Sequence, residues 1–226
     1  MKILILSDWR VGAVPLPANV GGAFQRVVGH IVPDRIVLLG NMVDGVPEAI
    51  AAHGDVLDTV GPDGWIGRVS RGIKTTWIPG TTDGFLAERR YRGVGEKLAP
   101  CIEVADRRVM LVPAGEPLLV MLLDSNSPRF KGRSQHGIVD RLLRKQPNPA
   151  EQDALLRFRV RQWSQQQQGD AAKIRGNPYL WGCVHNGSMP YWGRFGDFWC
   201  GCPGGATRAI SLDTINPSRS DLVELV

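Results

Sequence analysis

Five short apolar or β-branched runs mark the chain, and none alternates with polar positions. Lys2–Leu6 ends at Ser7-Asp8, Arg35–Leu39 at Gly40-Asn41, Thr75–Ile78 at Pro79-Gly80, Leu118–Leu123 at Asp124 and Tyr179–Val184 at His185. Runs of this length without alternation predict strands buried on both faces. Ligands of open α/β sheets gather beyond the carboxyl ends of the strands. The pattern therefore places Asp8, Asn41, Asp44, Asp83, Asp124 and His185 on one rim.

Between the runs, apolar residues recur at helical spacing. Ala18–Ile31 carries Val20, Ala23, Phe24, Val27, Val28 and Ile31 and predicts a helix. Glu48–Ala52 follows Pro47, a good first-turn residue. Gly84–Tyr91 predicts a short helix after the third strand. Asn148-Pro149 is an N-cap and N1 pair that opens a longer helix, with Glu151 and Asp153 in its first turns and Gly169 at its close. Asp106–Val112 and Leu118–Leu123 read as a hairpin. The glycine-rich tail from Phe195 reads as strands and ends in Leu222–Val226.

The 226 residues are 43% hydrophobic and 22% charged, which predicts one globular domain over 1–226. Lys+Arg exceeds Asp+Glu by 27 to 22, a mild excess whose densest stretch runs from Arg129 to Arg161. That stretch suits a solvated helix face, with nucleic acid as the alternative. No apolar run reaches the ~18–20 residues that cross a bilayer. Met1–Asp8 lacks a long apolar region and cleavage site, so no membrane association and a cytoplasmic location are expected. Cys101, Cys183, Cys200 and Cys202 are too few for a disulfide framework and read as free thiols or ligands.

The strand ends form an ordered set of motifs. Ser7-Asp8-Trp9-Arg10 resembles an Asp-x-His segment, Gly40-Asn41-Met42-Val43-Asp44 a Gly-Asp-x-x-Asp segment and Gly80-Thr81-Thr82-Asp83 a Gly-Asn-His-Asp or Gly-Asn-Cys-Asp segment. Gly182-Cys183-Val184-His185 resembles Gly-His-x-His, and Cys202-Pro203-Gly204-Gly205 the turn that follows it. In this order, over nearly the whole chain, they resemble the calcineurin-like metallophosphoesterases, in their small phosphodiesterase and retromer-subunit-like branch. The resemblance implies an α/β fold: a four-layer α/β/β/α sandwich of two mixed β-sheets flanked by helices.

Phosphoesterase chemistry of this kind uses two divalent cations that clamp a phosphoryl group and generate hydroxide. A carboxylate bridges them, because two dications need negative charge between them. Carried over by position, little of that set survives. Asp8 stands at the first carboxylate ligand, but Arg10 replaces a histidine and is a permanent cation. Asn41 replaces the bridging carboxylate, Thr81 a ligand asparagine and Thr82 the catalytic histidine or cysteine. Cys183 replaces a ligand histidine, His185 remains, and Asp124 is the nearest candidate for a missing middle ligand. In a second register His185 is that middle ligand and Gly201-Cys202-Pro203-Gly204 is the last motif. In either register Asp8, Arg10, Asn41, Asp44, Thr81, Thr82, Asp83, Asp124, Cys183 and His185 are vestigial positions, and no residue is assigned a catalytic role. Arg10, among Asp8, Asp44 and Asp83, is placed to take the space and charge of a metal.

Three functions remain open from the sequence. The first is a catalytically degenerate protein that binds or scaffolds another chain, a copy or a different partner, without a cofactor. Trp192 and Phe195, in the aromatic Trp181–Trp199 segment, are the expected partner surface. The second is an active phosphodiesterase or phosphatase with manganese, iron or zinc on an altered site. The third is a nucleic-acid-binding module. A separate zinc site is conceivable on Cys183, His185, Cys200 and Cys202, should their strands adjoin with the pairs on one side.

Overall fold

The computed structural model describes residues 1–80, 82–105, 108–111, 118–124, 179–185, 190–195, 198–214, 216 and 219–225. For residues 108–111, 118–124, 179–185, 191, 193–195 and 198–202 it describes the backbone alone. Thr81, the helix expected from Asn148 and the basic stretch Arg129–Arg161 lie outside the described residues.

The apolar runs are strands, as their lack of alternation predicts: β1 Lys2–Leu6, β2 Arg35–Leu39 and β3 Lys74–Ile78. They lie side by side and parallel, with β4 (Ile102–Val104) beyond β3. Two later strands, β10 (Arg208–Asp213) and β11 (Asp221–Glu224), extend the sheet antiparallel on the other side of β1, in the order β11-β10-β1-β2-β3-β4. A second sheet has the order β5-β6-β7-β9-β8. Its strands are β5 (Arg108–Leu111), β6 (Leu118–Asp124), β7 (Tyr179–His185), β8 (Tyr191–Phe195) and β9 (Phe198–Cys202). The β5–β6 pair is the expected antiparallel hairpin, whereas β6, β7 and β9 run parallel.

Both faces of the first sheet are buried. Leu4, Leu6, Ile36, Leu38 and Trp77 point to the helix side, while Ile3, Ile5, Val37, Leu39 and Ile78 point the other way. On the helix side lies α1 (Val20–Ile31), which buries Val20, Ala23, Phe24, Val28 and Ile31. Each of Val20, Phe24, Val28 and Ile31 contributes roughly 1.5–3 kcal/mol of apolar burial. The helix starts two residues later than the sequence predicts, after Asn19 takes a left-handed conformation at φ 67°. The short α2 (Pro47–Ile50) begins on Pro47 as expected. Two helices were not expected, α3 (Gly54–Val60) and α4 (Trp65–Ser70), and Trp65 of the latter stacks beside Trp9 and Phe24 at 5.1 and 5.0 Å. The helix expected over Gly84–Tyr91 is instead two 3-10 turns, Gly84–Ala87 and Arg89–Tyr91, followed by α5 (Arg92–Leu98).

Trp192 packs against the Ile3–Ile5 side of the first sheet together with Met1 and Leu222. It is half-buried. β8 turns it toward the apolar face of the first sheet, and part of it stays exposed. The side chain of Phe195 lies outside the described residues. Among the described residues no helix is long and apolar enough to cross a membrane.

Candidate functional site

The ends of β1, β2 and β3 meet in one hydrogen-bonded junction. Beyond β1 the chain continues alongside the loop after β2: Asp8 N donates to Gly40 O, Arg10 N to Asn41 O and Val11 N to Met42 O, at 2.9–3.0 Å. Asp44 N returns a bond to Val11 O at 3.0 Å. To follow this path Asp8, Arg10 and Asn41 all take positive φ, at 56°, 50° and 51°. Left-handed backbone is disfavoured for such residues and persists where surrounding contacts over-determine it. Gly80 brings the end of β3 against the same junction. A Cβ there would meet Asn41 Oδ1 at 2.6 Å and Asn41 N at 2.7 Å, so the close approach requires glycine.

Asn41 is the centre of the junction. Its Oδ1 accepts from Thr82 N at 3.0 Å, and its Nδ2 donates to Asp8 Oδ1 at 3.2 Å. Thr82 N is an obligate donor, so the amide oxygen must face it and the amide hydrogens must face Asp8. Thr82 Oγ1 donates to Val43 O at 2.7 Å, which occupies its hydroxyl with backbone.

Arg10 and Asp44 form the charged edge of the site. Nε and one terminal nitrogen of Arg10 donate to the same Asp44 oxygen, Oδ2, at 2.9 and 2.6 Å. The Arg10 side chain is 47% exposed and that of Asp44 22%, so solvent screens the pair. Val14 and Val46, at 48% and 63% exposed, stand on the two loops that carry this pair.

Asp83 does not join Arg10, contrary to the charge cluster expected from sequence. It is fully buried and turned inward. Its Oδ1 accepts from Gly80 N and Asn41 N, the latter at 3.1 Å, and its Oδ2 accepts from Met42 N at 2.8 Å and Trp77 Nε1 at 2.9 Å. Burial pushes this carboxyl up from its ordinary value, and the four N–H donors act in the opposite direction. The indole of Trp77 is a member of the junction that the sequence reading missed. Its signal was a tryptophan on a strand six residues before the aspartate, which alone does not reveal the inward turn.

In the second sheet Asp124 and His185 are register partners at the carboxyl ends of the parallel strands β6 and β7. Strands β7 and β9 do adjoin, but Cys183 is aligned with Gly201 and Gly182 with Cys200. This pairing thus places neither cysteine of β9 directly opposite Cys183. Among the described residues no three histidine, cysteine or acidic side chains are grouped to hold a metal ion.

No family model matches the chain, and no curated protein matches it. Solved structures do. A hypothetical protein, PH1004 from Pyrococcus horikoshii, superposes with a TM-score of 0.50 at 10% identity over 99% of this chain and 87% of its own. The chain shares the fold of that protein, a mixed α/β architecture. Other chains similar to it are YfcE, a phosphoesterase from E. coli, at TM-score 0.48 and 9% identity over 100% of both chains, and Vacuolar Protein Sorting 29 from Cryptosporidium parvum, at 0.47 and 10% over 98% and 95%. At such identities the likeness is one of fold, and function has to be argued from the residues themselves.

Proposed function

We propose that this chain is a catalytically degenerate phosphoesterase-fold protein, one domain over 1–226, that acts by binding another protein. One observation carries the reading: Asn41 presents amide hydrogens, not a carboxylate, to Asp8. A dinuclear phosphoesterase centre needs negative charge between its cations. Here the position that would supply it is a neutral donor fixed by Thr82 N. The histidine position beside it is a guanidinium that neutralises Asp44. These residues do not fit a two-metal centre, and no step is assigned through one.

The same contacts explain how the junction is held together. An amide–carboxylate hydrogen bond and an arginine–aspartate pair take up charge that two cations would otherwise balance. Thr82, at the position of the family's acid, spends its hydroxyl on Val43 O and is in any case a poor proton donor near neutral pH.

The test is a manganese-supplemented assay with an aryl phosphodiester on the purified full chain. The reading predicts hydrolysis no faster than the buffer control. Turnover of about 1 s⁻¹ or more, ordinary for an enzyme, would overturn it.

A further inference from the structure

We draw no further inference here: the strongest candidate, the cavity of about 550 Å³ between α5 and the edge strand β4, has its carboxylates Glu88 and Glu96 already paired with Arg90 and Arg92, and nothing in the structure shows what covers it.

Discussion

Replacing Asp83 by Asn tests the junction at its most buried point. The carboxylate accepts from Gly80 N, Asn41 N, Met42 N and Trp77 Nε1, two donors on each oxygen. An asparagine keeps one acceptor oxygen and turns an NH₂ toward the other two donors. Two buried N–H groups then lose their acceptor, at about 1–3 kcal/mol each, so a loss of about 2–6 kcal/mol is expected. Against a total stability of about 5–15 kcal/mol this is a large fraction. Urea unfolding followed by tryptophan fluorescence measures it. With a slope of about 2–3 kcal/mol/M the midpoint should fall by roughly 0.7–3 M. A loss under about 1 kcal/mol would refute the reasoning. It would mean that burial keeps Asp83 as the neutral acid, for which Asn is a near isostere.

The other substitutions at the junction follow from the same contacts. Asn41→Asp places a second carboxylate against Asp8 while still accepting from Thr82 N, and should cost about 1–3 kcal/mol near pH 7. Urea midpoints of the variant and the parent at pH 7 would show it. Gly80→Ala drives a Cβ into the Asn41 backbone and should cost roughly 1–3 kcal/mol, read as a lower melting temperature. Arg10→Ala removes a solvent-screened pair and should cost no more than about 1 kcal/mol. The double variant Arg10→His, Asn41→Asp should still hydrolyse a phosphodiester at well under about 1 s⁻¹, because Thr82 supplies no acid.

Much of the first sheet was legible because its strands are buried on both faces and therefore lack alternation: β1 and β2 have the expected limits. Helices α3 and α4 were not legible. Each is seven residues or fewer, too short to show a period, and Gly61-Pro62-Asp63-Gly64 between them reads as a break. At the site, Asp8, Asn41 and Asp83 were placed on one rim by the rule that strands deliver their ends together. The direction of Asp83 was not, because it depends on the backbone amides of Gly80, Asn41 and Met42, which carry no side-chain signature. The direction in which Trp192 turns was not legible for a related reason. Glycine-rich strands leave open which face is covered, and here the opposing apolar sheet decides it.

The central claim is that Arg10 and Asn41 replace a two-metal centre. Elemental analysis of the full chain, purified after incubation with excess manganese and removal of unbound ion, tests it most directly. The account predicts far less than one transition-metal ion per chain, unchanged by Arg10→Ala. About two ions per chain, lost when Asp8 and Asp44 are replaced by Ala, would be the stoichiometry of a dinuclear site and would contradict it.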